Sequence, residues 1–198
     1  MAGRIRQRFR RVTWGRPTAT LPAVVLTLVC TLSPSTTVQA LESGHSAEYL
    51  LKAAFLYNIA KFIDWPDAES APANAPLSVC MTGDAFGSTI DSIAGKSVQG
   101  RPVVIKHTPN LQDARDCHIL FVETNYPRRA DEFLEAVSGR PVLTVCDRPD
   151  CAQQGVMINL QKREDKISIE LNLDAAQRAH LKLSSQLIKL ARLVGPRS

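Results

Sequence analysis

Apolar residues Leu51, Phe55, Ile59 and Phe62 recur at i, i+4, i+8 and i+11 after Ser46, and the run stops at Trp65-Pro66. That spacing predicts an amphipathic helix with Ser46 as its N-cap, and a proline disfavours helical geometry in the residue before it. The next apolar runs are short and continuous: 77–81, 103–105, 118–122 and 142–145, each bounded by Gly, Pro, Asn or Asp. Helical spacing falls between them at Phe86, Ile90 and Ile93, and again over 129–137. Runs that are apolar throughout suit strands buried on both faces. The expected fold is therefore an α/β single domain with a mostly parallel central sheet flanked by helices.

The pattern changes after Cys151. Residues 156–160 and 167–171 are joined by a charged connection, 161–166, and Ile167, Ile169 and Leu171 alternate with Ser168, Glu170 and Asn172. This predicts an added C-terminal β-hairpin. Asp174 to Gln177 has the form of a capping box and opens a predicted terminal helix. Projected at about 100° per residue, Ala176, Leu183, Leu187, Leu190 and Val194 share a core face. Arg178, Lys182, Lys189 and Arg192 form a basic flank, with Leu181 and Ile188 beside it. A solvated basic face is the plain reading. The sharper one is a docking surface for an acidic partner or for lipid head groups.

Charge first suggests a nucleic-acid or membrane partner, because 24 Lys+Arg stand against 19 Asp+Glu. The excess sits at the front. Residues 1–40 carry Arg4, Arg6, Arg8, Arg10, Arg11 and Arg16 and no acidic side chain, then an apolar run from 21 to 32, then Val38-Gln39-Ala40. A basic segment, a short apolar segment and a small residue at the end are what secretory processing reads. The apolar run is too short to span a bilayer, which takes about 20 residues, so 1–40 is assigned as a cleaved signal peptide. Arg10-Arg11 fits a twin-arginine signal poorly, and Val29 before Cys30 is too bulky for lipoprotein processing. Without the six arginines, 18 basic residues face all 19 acidic ones, and the predicted mature domain 41–198 has net charge −1. The nucleic-acid reading loses its support.

Removing the leader leaves Cys80, Cys117, Cys146 and Cys151, an even number in an exported chain, where disulfides are the expectation. Four cysteines allow three connectivities, which sequence alone does not resolve. The turn-rich loop Cys146-Asp147-Arg148-Pro149-Asp150-Cys151 brings its own ends together readily, which favours pairing 146 with 151 and 80 with 117. Metal binding is the alternative, but there is no C-x-x-C and His45, His107, His118 and His180 lack ligand spacing. No metal or cofactor is implied.

Candidate catalytic motifs fail one by one. Gly95-Lys96-Ser97 resembles the end of a phosphate-binding loop, yet the glycine required five positions earlier is Ile90. Gly83 and Gly87 lack dinucleotide-binding spacing and read as a strand-to-helix turn. His118 lies in an apolar strand beside Cys117, the setting of a structural histidine. Ser184 and Ser185 have no G-x-S-x-G turn, and Asp131-Glu132 and Glu164-Asp165 read as solvated pairs. No catalytic constellation emerges, so the chain reads as a non-enzyme.

The stretch Glu48-Tyr49-Leu50-Leu51-Lys52-Ala53-Ala54-Phe55-Leu56-Tyr57-Asn58-Ile59-Ala60-Lys61-Phe62, followed by Trp65-Pro66, resembles the opening of the YfiR family of exported regulators. Stretches 77–80 with Gly83-Asp84, 100–103, 117–121, 142–145, 155–160 and 181–187 continue the resemblance in order. It implies a periplasmic repressor that binds the periplasmic sensor region of an inner-membrane diguanylate cyclase, limiting cyclic di-GMP and biofilm formation. It further implies a homodimer, sequestration by an outer-membrane lipoprotein, and a redox-sensitive role for Cys80, Cys117, Cys146 and Cys151. The resemblance assigns no partner-contact residues. Arg178, Leu181, Lys182, Ile188, Lys189 and Arg192 are candidates from the helical projection alone. The alternative function is a periplasmic small-molecule sensor whose strand ends form a ligand cleft.

Overall fold

The computed structural model describes residues 36–66, 72, 74–108, 110–123, 127–164 and 166–195, with side chains of the first helix described from Gly44 onward. All but the last five residues of the predicted leader, 1–40, lie outside this range. Helix α1, Thr36–Ala60, begins ten residues before the expected cap, so Ser46 lies inside it. After the two-residue strand β1, Ile63–Asp64, come β2, Leu77–Met81, a 3-10 helix, Gly87–Ile93, and strands β3, Ser97–Val98, and β4, Arg101–His107. Helix α2, Leu111–Ala114, strand β5, Ile119–Phe121, helix α3, Pro127–Ala136, and strand β6, Leu143–Cys146, follow. The chain closes with β7, Ile158–Arg163, β8, Lys166–Leu171, α4, Leu173–Arg178, β9, Lys182–Leu183, α5, Ser185–Leu190, and β10, Arg192–Leu193.

One eight-stranded sheet runs in the order β10-β8-β7-β6-β5-β2-β4-β3, and β1 pairs separately with β9. Strands β4, β2, β5, β6 and β7 are mutually parallel. The α/β expectation therefore holds, and side-chain alternation explains why the strands read as unbroken apolar runs. Leu77, Val79, Met81, Ile119 and Phe121 point to a core shared with Leu56, Ile59, Ile90, Ala176 and Leu187. Cys80 and Leu120 point the other way, to a second core with Ala114, Cys117, Ala130, Phe133 and Val137. Both faces are covered, so neither register of the strand is polar.

The hairpin forms as expected but with a tighter turn. Pairing runs from Ile158↔Leu171 to Arg163↔Lys166, so most of the charged connection 161–166 is ladder. Glu164 has φ +54°, the sign that two-residue hairpin turns require.

The predicted continuous terminal helix is corrected. It divides into α4 and α5, separated by β9, because His180 takes φ +57° and the Leu181 N–H donates to Ala176 O, which ends the first helix. Its cap is also moved: Asn172 Oδ1 accepts from Ala175 N at 3.0 Å, and Asp174 lies in the first turn. Ser184 caps α5 and donates its own N–H to Phe62 O, which ties this segment to the end of α1. A 100° projection carried across His180 thus merges two helices of different direction.

Helix α1 buries a face different from the stripe Leu51, Phe55, Ile59 and Phe62. Its buried residues are Lys52, Ala53, Leu56, Ile59 and Ala60, whereas Leu51 is 43% exposed and Phe55 and Phe62 only half-buried.

Candidate functional site

Taking β2, β4, β5, β6 and β7 as first to fifth, the parallel strands have the order 2-1-3-4-5. The winding reverses between β2 and β5, and the C-terminal ends of strands beside such a reversal are the standard ligand position in open α/β sheets. Here those ends are Thr82-Gly83-Asp84 and Val122-Glu123. Thr82 N donates to Phe121 O at 3.1 Å and Glu123 N to Thr82 Oγ1 at 2.9 Å, locking the two ends together. The Glu123 carboxylate lies against Gly83: a Cβ there would sit 1.8 Å from Oε2, so glycine is required for this approach. Oε2 accepts from Ala85 N at 3.1 Å. The protein's own carboxylate thereby occupies the backbone donor that a phosphate would use in a nucleotide-binding member of this fold class.

A cleft of about 510 Å³ opens beside this point, lined by His45, Ser46 and Tyr49 of α1 and by residues 84–89. Tyr49 and Phe86 meet edge to face at 4.9 Å, Phe86 meets Phe121 likewise at 4.8 Å, and His45 stacks on Tyr49 at 4.5 Å.

Behind Tyr49 lies a buried ionic cluster. Lys52, 2% exposed, contacts Glu48 at 2.5 Å and Asp147 at 2.8 Å. Tyr49 O–H donates to the same Asp147 oxygen at 2.8 Å, and Lys162 reaches Glu48 at 3.4 Å. Burial, then the charges of Asp147, Glu48 and Glu123, hold the Tyr49 phenol well above its ordinary range. For Glu48, burial raises the pKa, but the hydrogen bonds and charges of Lys52 and Lys162 together outweigh it and lower the value. Asp147 directly follows Cys146, so the cluster ties α1 to the short disulfide loop.

The two disulfides are Cys80–Cys117 and Cys146–Cys151, with Cα separations of 6.0 and 6.6 Å. The first staples β2 to the approach of β5 within the second core; the second closes the loop that carries Asp147.

At the opposite end of the strands, His118 is structural. Arg101 Nη2 lies 2.6 Å from its Nε2. A guanidinium is donor-only, so Nε2 accepts, while Nδ1 lies 2.8 Å from Ser78 Oγ and 3.2 Å from Ser78 N. Ser78 Oγ in turn reaches Asp116 O at 3.2 Å.

The sequence model of the YfiR/HmsC-like family matches residues 49–192. The chain belongs to this family. YfiR/HmsC-like membership points to a regulator in periplasmic cyclic di-GMP signalling, and the family is regulatory rather than catalytic. Among the described residues no helix is long and apolar enough to cross a membrane, and no group of three or more metal-ligating side chains comes together.

The candidate contact residues do not form one surface. Leu181 is buried in the main core. Arg192 is drawn to Glu170. Arg178 lines a separate depression with Leu134 and Gln154, and Lys182 pairs with Asp64 in the β1–β9 ribbon. Ile188 is half-buried and Lys189 exposed on α5, and the structure offers instead an apolar groove of about 380 Å³ between α1 and α5. Leu51, Phe55, Phe62 and Ile169 line it, with Leu190, which is 70% exposed. Leu51 and Phe55, on the apolar stripe predicted from the sequence, are groove wall. Sequence reasoning missed Lys52 and Glu123. The i, i+4 spacing of Glu48 and Lys52 was a legible signal for the first, whereas nothing local points to Glu123.

Proposed function

We propose that this protein is a periplasmic repressor that binds the periplasmic sensor region of an inner-membrane diguanylate cyclase and lowers cyclic di-GMP output. The family match over residues 49–192 carries this reading. An inhibitor acts only through unequal affinity for two states of its target, so the protein holds the cyclase by preferring its inactive conformation. The leader 1–40 directs export, a homodimer is the working form, and a sequestering outer-membrane lipoprotein relieves repression and so promotes biofilm formation.

The docking surface we assign is the α1–α5 groove. Exposed apolar strips of this kind mark interaction sites, and the groove residues Leu51 and Leu190 are 43% and 70% exposed, with Leu50 and Leu193 exposed nearby in the sequence at 51% and 52%. Two lysines lie beside it: Lys61, bonded to the groove residue Asn58, and Lys189, next to Leu190. The occupant is accordingly an apolar segment of the cyclase with acidic flanks. Redox sensitivity enters through the disulfides, whose reduction loosens the fold.

Deletion of the gene should raise cellular cyclic di-GMP, and a wild-type copy should restore it. Tagged protein should capture the cyclase from solubilised membranes, and Leu51→Glu with Leu190→Glu should abolish capture without lowering Tm. Unchanged cyclic di-GMP on deletion would reject the repressor role; capture by the double variant would reject the groove.

A further inference from the structure

We propose that the cleft at the ends of β2 and β5 is a binding site for a small organic cation, an amine or quaternary ammonium on a short apolar body. The volume of about 510 Å³ lies within the range of small-molecule sites. Its walls supply what such a cation uses. The Tyr49 and Phe86 rings border it, and aromatic rings attract a cation placed over them. Lys52 shows this preference within the molecule, since its ammonium lies 4.4 Å from the Tyr49 ring centre, buried and outside the cleft lining.

Asp84 provides the counter-charge. It is exposed at the cleft wall and has no ion-pair partner among the described residues. An anion is disfavoured by the same geometry, because Glu123 already takes the Ala85 N–H and its carboxylate stands where a phosphate would have to enter. The ligand would also touch a sensitive point of the fold, since Tyr49 bonds Asp147 of the disulfide loop. This site is separate from the α1–α5 groove and does not depend on repression of a cyclase.

Calorimetric titration of the disulfide-intact protein with choline and with phenethylammonium tests the assignment, with 3,3-dimethylbutanol and 2-phenylethanol as their neutral counterparts and inorganic phosphate as the anion control. At least one cation should saturate in the millimolar range or below, with its neutral counterpart about tenfold weaker. Asp84→Asn should weaken the cation about tenfold and leave the neutral compound unchanged; Tyr49→Phe should retain binding and Tyr49→Leu lose it. Equal binding of cation and neutral counterpart, saturation by neither cation, preferential binding of phosphate, or an unaltered Asp84→Asn variant would each overturn the proposal.

Discussion

Replacing Lys52 with Met removes the one ammonium that two carboxylates share while keeping an unbranched apolar stem one atom shorter. Glu48 and Asp147 both lie within 2.8 Å of Lys52 Nζ, and their side chains are only 19% and 12% exposed. Without it, two like charges about 5 Å apart at an effective dielectric constant of about 20 repel by about 3 kcal/mol. Removing one partner of a buried pair generally costs about 3–5 kcal/mol. The Tyr49 hydroxyl on Asp147 and Lys162 on Glu48 remain, which places the loss at the lower end. For a chain of this size, about 3 kcal/mol corresponds to a Tm lower by about 6–12 °C. Thermal unfolding followed by circular dichroism, with both disulfides intact, measures this at pH 7 and at pH 4. The sign of the pH effect is set by Glu48, whose pKa is lowered in the folded protein. Its ion pairs stabilise the fold above the unfolded value and are lost as pH falls. The variant has less to lose, so the gap between it and the wild type should narrow at pH 4. A Tm decrease under about 2 °C at pH 7 would refute the assignment of Lys52 as a stabilising charge. An equal decrease at both pH values would show that packing, not charge, is responsible.

Three further outcomes follow from the same structure. Cys80→Ser opens a crosslink of sequence separation 37 inside a core and should cost about 3–4 kcal/mol by loop entropy, whereas Cys146→Ser, at separation 5, should cost about 2 kcal/mol; denaturant unfolding that ranks them in reverse would contradict the loop argument. Glu170, 2% exposed, has its pKa raised by burial but lowered overall by donors from Arg192, Asn159 and Arg163, so its contribution is present above the ordinary carboxylate range and lost on acidification. Glu170→Gln should therefore lower stability at pH 7 by about 1.5–3 kcal/mol and flatten the acid limb of the stability profile; an unchanged acid limb would assign that titration elsewhere. Gly83→Ala drives a methyl into Glu123 and should cost about 1–2 kcal/mol, most of it recovered when Glu123→Ala is added; strictly additive effects in urea melts would show that the two do not collide.

Much of the fold was legible because each signal was local. Continuous apolar runs at 77–81 and 142–145 announced strands buried on both faces, and the alternation of Ile167, Ile169 and Leu171 announced the hairpin. The cysteine pairing was readable from an even count and one turn-rich loop, and both bonds are present. The family was readable because its opening stretch is long and particular.

What the sequence could not decide is what depends on direction in space. A single φ of +57° at His180 divides the terminal helix, and with it the basic flank drawn from Arg178 to Arg192. The exposed stripe of α1 looked like a core stripe because Leu51 and Phe55 are apolar; only the docking angle of the helix shows that Lys52 and Leu56 face inward. Likewise Lys52 with Asp147, 95 residues apart, and Gly83 with Glu123, 40 apart, are neighbours only because β2, β5 and β6 end side by side. Periodicity fixes which residues share a face of one element, whereas the chemistry of the cleft comes from the juxtaposition of several strand ends, which no local pattern encodes.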